Sequence, residues 1–112
     1  MNHARWKLAR ERQLVEGYTE PPEVAVEREQ IRLAMALGQL VYDRRAELGL
    51  SQDDLAHRLG TSADEVDSIE VGGVLPVTSD LLARLAAALE VGVDMHLAPS
   101  GGVAVSFDRH AA

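Results

Sequence analysis

The sequence predicts an all-α fold, a bundle of short helices that carries a small β-hairpin near its C-terminal end. Only 4% of the 112 residues are aromatic whereas 46% are apolar, so the core must be built from aliphatic side chains and alanine. Such side chains suit helices better than a β-sandwich. Apolar residues recur at three- and four-residue spacing along most of the chain, and a period of two appears only at residues 93–107. We expect one domain with appendages.

The first predicted element is a weakly amphipathic helix over residues 3–16. It contains good helix formers and mixed charge, and Trp6 is expected to pack it onto the core or to anchor a partner. The stretch from Gly17 to Pro22 ends this helix, because proline is tolerated only in a first helical turn. Its basic side chains are Arg5, Lys7, Arg10 and Arg12.

A second helix is predicted over residues 23–48, ended by Gly49. Glycine in a helix interior costs about 1 kcal/mol relative to alanine, so Gly38 is expected to mark a bend or a close helix contact. The apolar residues at helical spacing are Val24, Ile31, Met35 and Leu40.

Two short capped helices follow, joined by a tight turn. Ser51 with Asp54, and Ser62 with Glu65, have the spacing of capping boxes, and Gly60 allows the sharp turn between the helices. This pattern is typical of helix-turn-helix geometry. The expected buried side chains are Leu55, Ala56, Leu59, Val66 and Ile69.

A fourth helix begins after a cap at Thr78 or Ser79, since the preceding loop 72–76 cannot continue a helix. Apolar residues then line one face at i, i+3, i+4 and i+7. These residues are Leu82, Leu85, Ala86 and Leu89.

The alternating segments 93–97 and 103–107, separated by turn residues 99–102, predict a β-hairpin. Residues 93–97 could instead form a short final helix. A lone hairpin is only marginally stable in water, so it needs the helical core or a second subunit, and we expect a homodimer.

The stretch Leu50-Ser51-Gln52-Asp53-Asp54-Leu55-Ala56-His57-Arg58-Leu59-Gly60-Thr61-Ser62, with Val66, Ile69-Glu70, Gly72, Pro76 and residues 82–89, closely resembles the Cro/C1-type (Xre) helix-turn-helix family. The resemblance runs from about residue 38 to about residue 97. It implies a lambda-repressor-like bundle over 38–92, a helical extension at 1–37, and a hairpin and tail at 93–112.

The resemblance also implies roles for individual residues. Arg45 and Glu70 would pair as a structural salt bridge, and Gln52 would contact a DNA phosphate. The positions that would face DNA on the recognition helix are Ser62, Ala63, Asp64, Glu65 and Ser68, with Asp67 nearby.

The charge distribution conflicts with that implied function. The net charge is −7, and residues 46–112 carry three arginines against eleven acids. DNA readers use Arg, Lys, Asn or Gln at base edges, whereas this recognition helix has no basic residue. Compensating phosphate contacts would have to come from Arg44, Arg58 or the basic residues 5–12.

Two functions are therefore predicted. The first is a sequence-specific regulator that binds double-stranded DNA as a dimer on a palindromic operator. The second is a protein-interaction module that resembles an Xre-type antitoxin and binds a protein toxin. An antitoxin of this kind would bind both its toxin and its operator DNA. Fold alone does not decide between them.

Other classes are not supported by the sequence. The four histidines are scattered and cysteine is absent, so we expect no metal, no cofactor and no enzymatic activity. No apolar run reaches the ~18 residues of a membrane span, and the N-terminus is too charged for a secretory signal. A cytoplasmic protein is expected.

Overall fold

The computed structural model of the chain describes residues 22–109, which form four helices followed by an antiparallel β-hairpin. The predicted helix at 3–16, with Trp6 and its basic side chains, lies outside the described residues. "All-α" is thus too narrow a class, because the fold combines a helical bundle with a small sheet. The elements are α1 (Pro22–Leu48), α2 (Gln52–Leu59), α3 (Ala63–Glu70), α4 (Ser79–Leu89), β1 (Gly92–Leu97) and β2 (Val103–Asp108).

The caps predicted for α2 form as expected. The Asp54 N–H donates to Ser51 Oγ at 3.0 Å, and the Ser51 N–H donates to Asp54 Oδ2 at 2.9 Å, which completes a capping box. Gly60 ends the helix with φ +73°, a left-handed conformation that suits glycine. At α3, Ser62 Oγ accepts from the Glu65 N–H at 3.2 Å. The reciprocal bond of a second predicted capping box does not form there.

The core lies where the four helices and the start of the hairpin meet. The side chains predicted to be buried on α2 and α3 are all buried, and on α4 the buried face includes Leu85 and Leu89 as predicted. Helix α4 begins after Thr78, which is the N-cap. The core residues are Leu37, Val41, Leu55, Ala56, Leu59, Val66, Ile69, Leu85, Ala88, Leu89 and Val91.

The buried face of α1 differs from the predicted one. Val24, Ile31 and Met35 are exposed, the last at 60%. The reason is that α1 is rich in apolar residues, so its sequence offers more than one stripe at helical spacing. The stripe that packs is Leu33, Ala34, Leu37 and Val41.

Gly38 marks a close helix contact. A Cβ atom at this position would lie 2.5 Å from the Glu70 carbonyl oxygen and 2.6 Å from that of Ile69. Real Cβ contacts this short essentially never occur, so only glycine lets the backbone of α3 approach α1 here. The predicted domain boundary between residues 37 and 38 falls at this contact, inside the unbroken helix α1.

The hairpin forms as predicted, and residues 93–97 are strand, not helix. Val93 pairs with Phe107, Met95 with Val105, and Leu97 with Val103. Val105 and Phe107 pack against the helical core. Within residues 22–109, no helix combines the length and the apolar character needed to cross a bilayer.

Candidate nucleic-acid interface

The outer surface of α3 is the surface that a helix-turn-helix protein would present to DNA. Val66 and Ile69 turn into the core, which leaves Asp64, Glu65 and Asp67 exposed. The other predicted contact positions lie on the same short helix or at its cap: Ser62 is exposed, and Ala63 and Ser68 are partly exposed. The predicted base-reading positions therefore lie on α3 or at its cap, whereas Gln52, the predicted phosphate contact, begins α2.

This surface is acidic, and no described cation neutralises it. None of the three exposed carboxylates forms an ion pair with an arginine among residues 22–109. Acids in the first turn of a helix favour the helix itself, because its N-terminal end carries partial positive charge. The same acids repel the phosphates of a DNA duplex.

Glu70, the last residue of α3, is the centre of a partly buried polar network. Its carboxylate accepts two bonds from Arg45, from Nε at 2.6 Å and from Nη2 at 3.0 Å, and its side chain is only 5% exposed. The hydrogen bond to Glu70 raises the pKa of Arg45 above its ordinary value. Arg45 Nη1 also donates to the Leu50 carbonyl oxygen at 2.9 Å. This arrangement joins α1 to the end of α3 and to the turn before α2.

Gln52 belongs to the same network. Its Nε2 donates to Asp67 Oδ1 at 3.2 Å and to Glu70 Oε1 at 3.1 Å. An amide nitrogen has two hydrogens, so both donors of this side chain are used within the protein. A phosphate contact through Nε2 would require one of these bonds to break, whereas the backbone at the start of α2 is not affected.

The arginines that could compensate for the acids serve another purpose. Arg44 Nε donates to the Leu89 carbonyl oxygen at 3.0 Å, and Arg58 Nη1 donates to that of Ala88 at 2.9 Å. Both oxygens lie at the end of α4, which has no basic residue in its last turn. These two side chains therefore satisfy carbonyl groups that the helix itself leaves unpaired.

Arg84 serves α2 in the same way, since its Nη2 donates to the Leu59 carbonyl oxygen at 2.6 Å. The remaining described arginines also have intramolecular partners: Arg28, Arg32, Arg45 and Arg109. These bonds of arginine to carbonyl oxygens at helix ends were not predicted from the sequence. The one sequence signal for them is that the last turn of α4 has no basic residue. This indicates that a donor must come from elsewhere in the chain, but it does not identify the donor.

Among residues 22–109, no group of three or more His, Asp or Glu side chains could hold a metal ion.

A family model described as a helix-turn-helix domain matches residues 36–98, which is more than half of the chain. The match extends from the middle of α1 to the end of β1 and includes both short helices. No curated protein and no solved structure matches the chain significantly.

Proposed function

The chain belongs to the helix-turn-helix domain family, and from this membership we propose that it is a DNA-binding transcriptional regulator that acts as a homodimer. The observation that carries the proposal is the pair of short helices α2 and α3, which turn at Gly60 and leave one face of α3 open. We assign it to the Cro/C1 (Xre) type within helix-turn-helix proteins. It would act in the cytoplasm, with 38–92 as the DNA-binding domain and 1–37 and 93–112 as appendages.

In this proposal α3 enters the major groove. Carboxylates can accept a hydrogen bond from the amino group of cytosine, so Asp64 and Glu65 would read bases in that way, helped by the hydroxyls of Ser62 and Ser68. Phosphates would be bound at the N-terminal end of α2, where Gln52 begins the helix. The side chain of Gln52 would join them only by releasing Asp67 or Glu70.

The acids limit the affinity. A carboxylate about 4 Å from a phosphate costs about 1 kcal/mol in water and about 4 kcal/mol at an effective dielectric of 20. Specific binding exceeds non-specific binding by only about 4–10 kcal/mol, so two such contacts are a large fraction of it. The cations for the phosphates would come from residues 5–12, because the arginines of residues 22–109 have intramolecular partners.

The test is fluorescence anisotropy of the full chain with its own upstream DNA at several salt concentrations. A regulator binds this DNA better than a scrambled duplex, and its affinity falls steeply with salt. Glu65→Gln removes one charge from α3 and should raise the affinity for the scrambled duplex about fivefold, which corresponds to about 1 kcal/mol. The matched control is Glu27→Gln on α1, an exposed acid that forms no ion pair within residues 22–109, and it should leave this affinity unchanged.

A second candidate function is a protein-interaction module, specifically the antitoxin partner of a basic protein toxin. The acidic surface of α3 and the internal use of the described arginines favour it. If neither the natural chain nor Glu65→Gln binds DNA even at low salt, the regulator proposal fails and this candidate takes its place. Co-expression with the product of an adjacent gene then tests it directly, by the formation of a stable complex.

A further inference from the structure

The outer edge of strand β1 has unpaired backbone groups. In the hairpin, the Ala98 N–H donates to the Gly102 carbonyl oxygen at 2.8 Å. Because hydrogen-bonded and non-hydrogen-bonded pairs alternate in an antiparallel ladder, His96 and Asp94 point their backbone groups toward β2. The backbone N–H and C=O groups of Val93, Met95 and Leu97 therefore point away from β2.

The two edges of the hairpin differ in how they are covered. The outward N–H of Val103 on β2 donates to Glu29 Oε2 on α1 at 3.1 Å, so this edge lies against a helix. On β1, no recorded hydrogen bond within residues 22–109 uses the outward groups of Val93, Met95 or Leu97. Edge strands with a row of unpaired groups are ready templates for pairing with another strand.

The side chains along the same edge are also without cover. Met95 is 42% exposed and Leu97 is 68% exposed, although both share a face of the hairpin with Val105 and Phe107, which pack on the core. The apolar face of the hairpin thus extends beyond the helices that cover its other half. This is the part of the sheet that a further strand would complete.

We propose that β1 pairs antiparallel with β1 of a second copy, centred on Met95, to form a four-stranded sheet across a homodimer. In this register Met95 lies opposite Met95 of the second copy, and Val93 lies opposite Leu97 of the second copy. These are the residues whose N–H and C=O groups point outward, so each pair exchanges two hydrogen bonds. The inference rests on the proposal that the protein acts as a homodimer.

The complementarity of β1 to its own sequence points to a second copy as the occupant, because an imidazole N–H can donate to a carboxylate. In the same register Asp94 lies opposite His96 of the second copy, twice in the dimer because of the two-fold symmetry. Pairs that exchange no hydrogen bonds bring their side chains closest, with Cα atoms about 4.5 Å apart. Both side chains are exposed on the polar face, and neither has a recorded partner within the described chain. The strand is thus complementary to itself on both faces.

The test is sedimentation velocity of the full chain over a concentration series, with charge variants on β1. His96→Asp places two acids opposite each other at both symmetric positions and should raise the dimer Kd at least about tenfold. The double variant Asp94→Lys with His96→Asp again places an N–H donor opposite a carboxylate at both symmetric positions and should restore the natural Kd. Ser100→Asp, which adds an acid to the exposed turn of the hairpin and outside both strands, is the matched control and should change little. Far-UV circular dichroism shows whether each variant remains folded.

Three results would overturn the proposal. The first is a natural chain that stays monomeric at every concentration, as expected if residues 1–21 or a different protein cover the edge. The second is a dimer that His96→Asp does not weaken, and the third is a double variant that fails to recover. DNA binding is measured on the same samples. If DNA binding persists while the β1 variants leave the dimer Kd unchanged, the proposed interface is wrong and the regulator proposal stands. If the dimer Kd changes as expected but no variant binds DNA, the interface stands and the regulator proposal fails.

Discussion

Gly38→Ala tests the close approach of α1 and α3, on which the position of α3 depends. The added methyl group would lie 2.5 Å and 2.6 Å from two backbone oxygens of α3, and 2.9 Å from the Glu70 carbonyl carbon. Backbone atoms cannot turn aside as the end of a flexible side chain can. The two helices must therefore separate by several tenths of an ångström, which also strains the bonds between Arg45 and Glu70.

Two opposing effects determine how much Gly38→Ala changes the free energy of unfolding. Alanine in place of glycine in a helix interior stabilises the protein by about 1 kcal/mol. Overpacking a tight site costs up to about 3 kcal/mol, and the upper value applies here because two backbone oxygens are in the way. We expect the free energy of unfolding to fall by about 2 kcal/mol in Gly38→Ala.

The assay is urea denaturation followed by far-UV circular dichroism at one protein concentration. Ala36→Gly is the matched control, because Ala36 lies on the exposed side of the same helix. Its expected loss is about 1 kcal/mol, from helix propensity alone. If Gly38→Ala proved as stable as the natural chain or more so, the close approach of the two helices would be refuted.

Two further predictions concern ionised groups. Glu70→Gln removes the counter-charge of Arg45, whose side chain is only 14% exposed, and should lower the free energy of unfolding by about 3 kcal/mol in urea denaturation; a loss below about 1 kcal/mol would contradict a structural role. The hydrogen bond from the Ser51 N–H is the main reason that the pKa of Asp54 lies below its ordinary value, and the Ser51 side chain lowers the pKa further. The ionised form of Asp54 therefore stabilises the fold above its unfolded-state pKa, and this contribution is lost as the pH falls through the folded-state pKa. Asp54→Asn should flatten the acid side of a plot of Tm against pH, and an unchanged acid side would argue against the capping box.

The elements with local signals could be predicted from the sequence. Ser51 and Gly60 fix the two ends of α2 through bonds to nearby backbone groups, and alternation over 93–97 identifies β1. The buried face of α1 could not be predicted in this way, because it depends on which stripe the other helices contact. The positions of Arg44 and Arg58 at the end of α4 were likewise hidden, since each bond spans at least 30 residues of sequence.

The candidate site shows the same limit. The sequence pattern placed Gln52 and the exposed acids on or beside one short helix, and the described structure has them there. The sequence pattern did not indicate that the side-chain amide of Gln52 would donate to two carboxylates of the protein itself. Such bonds depend on how far α3 tilts against the start of α2, which the core packing decides. Whether the side-chain amide of Gln52 is free to bind another molecule is therefore decided by tertiary structure.

The residues of α3 fall into two sets: those that the fold requires and those that remain available to a binding partner. Val66 and Ile69 fill the core and Glu70 binds Arg45, so these three positions determine whether the motif forms. Asp64 and Glu65 favour the first turn of α3, but neither forms an ion pair within residues 22–109, so no side-chain contact of the described fold requires acids there. The acidic surface must then be matched by whatever binds it. A DNA duplex would require cations from residues 5–12, whereas a basic protein surface would not.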